Sequence, residues 1–316
     1  MTPMDTLLHQ EETRPDRVAF IASESEWTYR HMADESERLA WALHARGVRC
    51  GDRVALHMAN VPEIVVAYYA CFRIGAIAAP LNIRLKAASC SRYCSGFSPF
   101  SISAKPSFTP RAPASIRISS ERTRASSWAP SRTAKVDAGM TSRGIRWSVA
   151  PSNERSSRPP DVDAPAVLLT TSGTTGQPKF VAHTPASLSA TADAFAHFGL
   201  DGEQIALSAL PMVHISGLST FLAYMRFGVP IILQERFDAD AALEAIETHR
   251  CTWLGGLPAT IAELTRCQRE RPRDLTSLRH CLTAGDVCPP GLQQQFAELM
   301  WVPLRSFWDR PKWWAR

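Results

Sequence analysis

Short apolar runs alternate with stretches of helical periodicity through residues 1–88. The runs have the length of buried strands, and the stretches repeat apolar side chains at i, i+3 and i+4, which predicts amphipathic helices. Gly47 is placed to end the first helix and Pro62 to begin the second, because glycine favours the C-terminal cap and proline the first turn. The elements predicted here are strands at Val18–Ile21, Arg53–His57 and Ala76–Ala79, and helices at 28–47 and 62–74.

Residues 161–308 return to the same alternation. Strands that alternate with helices predict a parallel sheet covered on both faces. We therefore predict an α/β fold in which parallel sheets are flanked by helices. The predicted strands are Ala164–Leu169, Ile205–Leu207, Pro230–Leu233, Cys251–Leu254 and His280–Thr283, and the predicted helices are Pro185–Phe198, Leu218–Phe227, Asp238–His249, Ala259–Cys267 and Pro290–Met300.

Residues 89–160 differ from both flanks because no apolar period of 2 or 3.6 runs through them. They contain 18 Ser and 8 Pro. Their 12 basic residues (10 Arg and 2 Lys) are offset by only three acidic ones, Glu121, Asp137 and Glu154, so the segment has a net charge of +9. The rest of the chain then carries −4 of the total +5. This composition is typical of a disordered basic linker. A nucleic-acid-binding tract is the alternative, and it is disfavoured because aromatic residues are sparse and the basic residues are spread out.

The overall composition excludes wholly disordered, collagenous and coiled-coil proteins, because 45% of the 316 residues are hydrophobic and 21% are charged. Residues 1–17 lack the apolar core of a signal peptide, and Arg73 interrupts the longest apolar stretch, which is too short for a membrane span. The eight cysteines are scattered without a Cys-x-x-Cys pair, so we predict no metal site. We expect a soluble cytoplasmic protein.

The segment Thr170–Lys179 has the sequence TTSGTTGQPK and directly follows a predicted strand. Two glycines three residues apart let the backbone turn tightly and direct its N–H groups at an anion, while the hydroxyls and the lysine add donors and charge. The spacing is neither that of a Walker A loop nor G-x-G-x-x-G. A plain strand-to-helix turn is the alternative, but the density of phosphate donors favours a polyphosphate site. The candidate phosphate-binding residues are Thr171, Ser172, Gly173, Thr174, Thr175, Gly176 and Lys179.

This loop resembles the signature of the adenylate-forming, AMP-binding enzymes, which include acyl-CoA synthetases and aryl- or malonyl-CoA ligases. Phe180 departs from it, because the family usually has glycine there. The segment Leu210–Gly217 (LPMVHISG) is similar to one that borders the acyl pocket near the adenylate, which implies that role for His214. A hydrogen-bonded core histidine is the alternative for His214. The resemblance covers about residues 5–88 and 161–308.

A third segment, Leu275–Asp286, is similar to the one that lies along the adenine in this family. The resemblance therefore implies an adenine-binding role for Ala284, Gly285 and Asp286. It also implies ATP and Mg²⁺ as requirements, a small-molecule carboxylic acid and coenzyme A as further partners, and formation of an acyl-adenylate and pyrophosphate before transfer of the acyl group to coenzyme A. The implied fold is the N-terminal domain of the adenylate-forming enzymes.

After Trp308 the family continues as Gly-x-Thr-Glu, whose Glu helps to hold Mg²⁺, whereas residues 309–316 are DRPKWWAR. Codons for Arg-Pro-Lys-Trp-Trp, when read one base earlier, can encode Thr-Glu-Val-Val-Gly, so we interpret residues 309–316 as the product of a frameshift. We interpret residues 89–160 in the same way, as an out-of-frame segment between two compensating shifts. The expected organisation is an α/β subdomain at 1–88, an irregular segment at 89–160, a second α/β subdomain at 161–308 and an aberrant tail.

On this interpretation the C-terminal lid domain is absent, and we expect a truncated CoA ligase with impaired or no activity. A nucleotide-binding pseudoenzyme that keeps the phosphate loop is the alternative function. A nucleic-acid-binding protein that uses the 89–160 tract ranks last.

Overall fold

The computed structural model describes the following residues: 1–23, 25–83, 100–104, 116–120, 140–141, 144–145, 161–171 and 179–307. They belong to two compact units. Unit 1 consists of Met1–Arg17, Thr28–Thr191 and Met212–Ile215. Unit 2 consists of Val18–Trp27, Ala192–Pro211 and Ser216–Arg316.

The helices and strands alternate along most of the described chain. The helices are α1 (Pro3–Thr13), α2 (Tyr29–Ala45), α3 (Pro62–Ile74), α4 (Pro185–Asp193), α5 (Ile215–Phe227), α6 (Ala239–His249), α7 (Pro258–Glu270) and α8 (Pro290–Met300). The strands are β1 (Val18–Ala22), β2 (Ser25–Thr28), β3 (Arg53–His57), β4 (Ile77–Pro80), β5 (Phe100–Ala104), β6 (Ile116–Ser120), β7 (Met140–Thr141), β8 (Gly144–Ile145), β9 (Val167–Thr171), β10 (Lys179–His183), β11 (Ala206–Ser208), β12 (Ile231–Leu233), β13 (Trp253–Gly256), β14 (His280–Ala284) and β15 (Leu304–Phe307).

Unit 1 contains a six-stranded sheet in the order β10-β9-β4-β3-β5-β6. Its four inner strands are parallel, because β3 pairs in parallel with β4 and β5, and β4 pairs in parallel with β9. The two outer strands, β10 and β6, are antiparallel to their neighbours. The predicted parallel sheet is therefore confirmed, with an antiparallel strand added at each edge.

Helices α1, α2 and α3 pack against one another in unit 1. Most of α3 is buried, which follows from its almost unbroken apolar sequence, and Gly75 ends it in the left-handed conformation. Helix α2 buries the stripe that its i, i+3, i+4 pattern predicts, and after the C-cap Arg46 it ends at Gly47, which has the left-handed φ of +91° expected of a helix-ending glycine. The buried stripe includes Tyr29, Met32, Ala33, Ser36, Ala40 and Leu43.

Unit 2 contains a seven-stranded sheet in the order β15-β14-β13-β11-β12-β1-β2. The strands from β15 to β1 pair in parallel. Helices α6, α7 and α8 bury one face of the sheet in an apolar core. On β1, the ring of Phe20 contacts Phe221 of α5 at a centroid distance of 6.3 Å. The α/β architecture predicted from the sequence thus holds for both units.

Several elements differ from the sequence-based expectation. Strands β5 to β8 lie within residues 89–160, for which the sequence predicts no regular structure. The helix predicted at Pro185–Phe198 is divided into α4 and a 3₁₀ helix at Ala194–Phe198. The other residues of 89–160, and the tail 309–316, lie outside the described residues. No helix in the described part of the chain combines the length and the apolar character needed to cross a membrane.

Candidate functional site

The predicted phosphate-binding segment connects the two strands of an antiparallel hairpin in unit 1. Lys179, the first residue of β10, lies opposite Thr171, the last residue of β9. The Thr171 hydroxyl donates a hydrogen bond to the Lys179 carbonyl oxygen at 3.4 Å. The structure therefore places two of the seven predicted residues side by side, where the segment leaves one strand and enters the other. The remaining five, Ser172, Gly173, Thr174, Thr175 and Gly176, lie outside the described residues.

This hairpin extends from the carboxyl edge of the parallel strands of unit 1. Because β9 is parallel to β4, and β4 to β3, Thr171 lies at the same edge as the ends of those strands, Pro80 and His57. Open parallel sheets bind their ligands outside this edge. The position of the hairpin in the fold is thus the one at which a ligand site is expected.

The segment that contains His214 is anchored near the same edge by two buried side chains. Asn60, which follows the end of β3, accepts a hydrogen bond from the Met212 N–H through Oδ1 at 2.9 Å. The Tyr68 hydroxyl of α3 donates one to the Met212 carbonyl oxygen at 2.7 Å. Burial raises the pKa of Tyr68, so this hydroxyl keeps the proton that it donates. We call Asn60, Tyr68 and the Met212 peptide the Met212 clamp.

The side chain of His214 is exposed, two residues beyond this clamp. It makes no hydrogen bond with the residues that the structure describes. The alternative of a hydrogen-bonded core histidine is therefore wrong. Asn60 and Tyr68 were not singled out by the sequence, although each places a polar group beside or within the apolar stretch that forms α3.

The predicted adenine segment lies at the carboxyl edge of the sheet in unit 2. Ala284 is the last residue of β14, and Gly285 follows with a φ of +88°. A Cβ atom at Gly285 would lie 2.7 Å from Leu257 Cδ2, the end of an exposed side chain that can shift, so it is the positive φ that favours glycine. Asp286 is exposed, and its Oδ1 accepts a hydrogen bond from the Val287 N–H at 2.7 Å. The three residues form a sharp turn with a solvent-accessible carboxylate, and their adenine-binding role stays a prediction.

A buried tryptophan and a partly buried histidine support the same sheet below this turn. His280, the first residue of β14, stacks on Trp253 of β13 at a centroid distance of 5.0 Å. Burial lowers the pKa of His280, and the positive charge of Arg305 lowers it further. The surroundings of His280 thus favour its neutral form.

A cavity of about 380 Å³ lies at the opposite, amino-terminal edge of the sheet in unit 1. Its walls include Phe72, Arg73 and Gly75 at the end of α3, and Ala166 just before β9. None of the predicted site residues lines this cavity, so it is not the phosphate site.

The donor set of the hairpin fits a polyphosphate. Lys179 is exposed and supplies a fixed positive charge, and the segment between the strands carries hydroxyls and two glycines. Among the residues that the structure describes, no group of three or more His, Cys, Asp or Glu side chains is placed to hold a metal ion. A Mg²⁺ ion held by the phosphates themselves would satisfy the preference of this ion for oxygen ligands and water.

Each unit has a sheet of mainly parallel strands, and a glycine-rich hairpin lies at the carboxyl edge of one of them. This arrangement is typical of α/β proteins that bind a ligand at that edge. The sequence model for "AMP-binding enzyme" matches residues 7–308. The chain belongs to this AMP-binding enzyme family, which confirms the resemblance found in the sequence.

Curated relatives of the chain are CoA ligases. It is 28% identical over 303 residues to a 2-succinylbenzoate–CoA ligase of Bacillus pumilus, an alignment that covers 95% of this chain and 57% of the relative. It is 29% identical to an indoleacetate–CoA ligase of Aromatoleum aromaticum, covering 88% of this chain and 54% of that protein. A long-chain-fatty-acid–CoA ligase of Mycobacterium tuberculosis is 29% identical, and the alignment covers 92% of this chain and 57% of that protein. The chain thus spans a little over half the length of these relatives.

Solved structures of the family have the same fold. The inhibitor-bound N-terminal domain of FACL13 from Mycobacterium tuberculosis superposes with a TM-score of 0.75 at 25% identity, covering 98% of this chain and 76% of that one. The o-succinylbenzoate CoA synthetase of Bacillus subtilis, solved with ATP and magnesium, superposes with a TM-score of 0.73 at 24% identity, covering 97% of this chain and 59% of that one. The predicted fold, that of the N-terminal domain of the adenylate-forming enzymes, is confirmed.

Proposed function

We propose that this chain binds ATP and a carboxylic acid as an AMP-forming CoA ligase does, and that it catalyses the acid-activating step with impaired activity. In that step the carboxylate oxygen bonds to the α-phosphorus of ATP, the bond to the bridging oxygen breaks, and pyrophosphate leaves. The thiol sulfur of coenzyme A then bonds to the acyl carbon and loses its proton, the bond from that carbon to the phosphate oxygen breaks, and AMP leaves. The observation that carries the proposal is the glycine-rich hairpin at the carboxyl edge, with Lys179 beside Thr171, in a chain of the AMP-binding enzyme family.

In this proposal the hairpin binds the phosphates. Lys179 and the hydroxyls of Ser172, Thr174 and Thr175 stabilise the negative charge that moves onto pyrophosphate as the bond breaks. Mg²⁺ would enter with ATP and neutralise part of the same charge. The hairpin also holds the α-phosphate where the carboxylate can reach it, which lowers the entropic part of the barrier.

The remaining predicted residues would bind the other parts of the two substrates. Ala284, Gly285 and Asp286 would lie along the adenine, and His214 would border the acyl group. The curated relatives act, by their names, on 2-succinylbenzoate, indoleacetate and long-chain fatty acids. We therefore propose a carboxylic acid of the aromatic or long-chain aliphatic class as the acyl substrate.

ATP binding is tested by thermal unfolding of the wild type and of Lys179→Ala. ATP with Mg²⁺ at 100 times its Kd would stabilise the wild type by about 2.7 kcal/mol. We expect Lys179→Ala to lose most of this stabilisation, because it removes the fixed charge at the hairpin. The matched control is Arg236→Ala, which removes an exposed cation whose Nε lies 4.0 Å from Glu235 Oε1.

Equal stabilisation of the wild type and Lys179→Ala would contradict the proposed phosphate site. Turnover is tested separately by ATP–pyrophosphate exchange with a panel of aromatic and aliphatic acids. Exchange that requires one of these acids supports acyl-adenylate formation. ATP-induced stabilisation without any exchange would instead identify a nucleotide-binding protein that does not activate acids.

A further inference from the structure

The segment between β11 and α5 carries His214, and two buried side chains hold the backbone of its Met212. Asn60 and Tyr68 bind opposite sides of one residue, since one accepts from the Met212 N–H and the other donates to its carbonyl oxygen. Both hydrogen bonds are buried. Buried backbone groups outside regular structure need such partners, and two of them fix the orientation of the residue they hold.

We propose that Asn60 and Tyr68 are positioning residues for His214, which act by holding the Met212 clamp. The expected effect on the reaction rate rests on the proposed function, whereas the positioning of His214 does not. The distance along the chain is short, because a single residue separates the clamped Met212 from His214. Loss of either hydrogen bond frees that backbone to rotate, and the imidazole moves with it.

The neighbouring residue Tyr69 shows that burial of a tyrosine on α3 does not by itself provide such a contact. Tyr68 and Tyr69 are 2% and 1% exposed, so their rings are equally buried. The Tyr69 hydroxyl has no hydrogen-bond partner among the described residues. The pair therefore supplies a matched comparison, in which Tyr68→Phe removes a hydroxyl that holds Met212 and Tyr69→Phe removes one that holds nothing.

The inference predicts a selective effect on the reaction. Tyr68→Phe leaves Lys179 and the hairpin unchanged, so the KM for ATP in the exchange reaction should stay the same. We expect kcat to fall about tenfold, because small displacements of a positioned group cost rate rather than affinity for a remote part of the substrate. Tyr69→Phe should retain the wild-type kcat.

The double variant tests whether Tyr68 acts through His214. If it does, Tyr68→Phe has no further effect in a His214→Ala background, so the two losses are not additive. Additive losses, or equal losses in Tyr68→Phe and Tyr69→Phe, would overturn the proposal. Asn60→Ala should give the same non-additive pattern as Tyr68→Phe.

A second measurement does not depend on activity. The ¹H–¹³C resonance of the His214 Cε1 position, identified by its absence in His214→Ala, should shift in Tyr68→Phe and stay in place in Tyr69→Phe. An unchanged resonance in Tyr68→Phe refutes the positioning role even if the protein is active. A shifted resonance in a protein without exchange activity supports the clamp and counts against the proposed function alone.

Discussion

At the scale of single residues, chemically identical side chains have different roles because of their partners. Tyr68 and Tyr69 are adjacent and equally buried, yet only Tyr68 has a hydrogen-bond partner for its hydroxyl within the described chain. Histidines differ in the same way. His214 is exposed beyond the Met212 clamp, whereas His280 is stacked on Trp253 and its pKa is lowered by burial. Residue type alone would have assigned each pair one role.

We predict a pH-dependent contribution of His280 to stability. Its pKa in the folded chain is lowered, first by burial and then by the Arg305 charge, from an ordinary value of 6.5. The unfolded chain therefore takes up a proton at a pH where folded His280 stays neutral, so this part of the free energy of unfolding is present above pH 6.5 and declines as the pH falls below it. NMR titration of the imidazole should give a pKa below 6.5.

Arg305→Gln isolates the second cause of this shift. It removes the positive charge and should raise the pKa of His280 toward its ordinary value. Arg236→Gln is the control, because Arg236 is not among the charges that act on His280. A His280 pKa that does not respond to Arg305→Gln would contradict the electrostatic part of this account.

At the scale of elements, local signals predicted those helices and strands whose sequences are apolar or begin with proline. Strand β3 and helices α3 and α8 match their predicted bounds. Helix α1 was missed because its sequence is largely polar, although Thr2 and Asp5 form a capping box at its start. Strand β10 was missed because it is almost wholly exposed and shows no alternation. Tertiary pairing, not local pattern, defines such elements.

Two glycines in the first turns of helices give an element-scale prediction. A Cβ atom at Gly217 of α5 would lie 2.3 Å from the Pro211 carbonyl oxygen, whereas one at Gly291 of α8 would meet nothing within 4 Å. Gly217→Ala should therefore destabilise the protein by about 2 kcal/mol, because backbone atoms must move to admit the methyl group. Gly291→Ala should stabilise it by up to about 1 kcal/mol, the difference in helix propensity. Urea unfolding of both variants measures this contrast.

Comparable stabilities for these two alanine variants would mean that helix propensity, not the close approach to Pro211, decides the effect at Gly217. The close approach also explains what the sequence could not reveal. The resemblance placed Gly217 in a family segment, but the reason for glycine there is a contact with backbone that only the fold brings near.

At the scale of the whole molecule, the sequence predicted the fold class but not the contacts that join distant segments. The TTSGTTGQPK segment carries its chemistry in consecutive residues, so a local pattern is sufficient to propose it as a phosphate site. The Met212 clamp joins residues 152 and 144 positions apart, and no local pattern encodes that pairing. The position of Ala284, Gly285 and Asp286 at a sheet edge agrees with their expected role but does not test it.

The outer strands of the sheets bear on solubility. Within the described residues β10 is the edge of the six-stranded sheet, and Val181 on it is 42% exposed. Edge strands with exposed apolar side chains can pair between molecules, and a lysine there opposes such pairing. We predict that Val181→Lys lowers the rate of aggregation, measured by light scattering, without changing the melting temperature.

Val287→Lys is the control for this effect. Val287 is 63% exposed but lies outside the strands, so the variant adds the same charge away from a sheet edge. Equal reductions in aggregation by the two variants would show that net charge, rather than edge pairing, limits solubility.

The Met212 clamp also has a consequence for the order of events in folding. Its two hydrogen bonds connect residues that are 152 and 144 positions apart. Bringing such distant residues together costs chain entropy, and the hydrogen bonds offset this cost only once they have formed. We expect the clamp to be among the last contacts to form, after α3 and its sheet have condensed. Interactions that are absent from the folding transition state govern the rate of unfolding rather than of folding. The Met212 clamp, which we propose orients His214, would then also slow the unfolding of the native state.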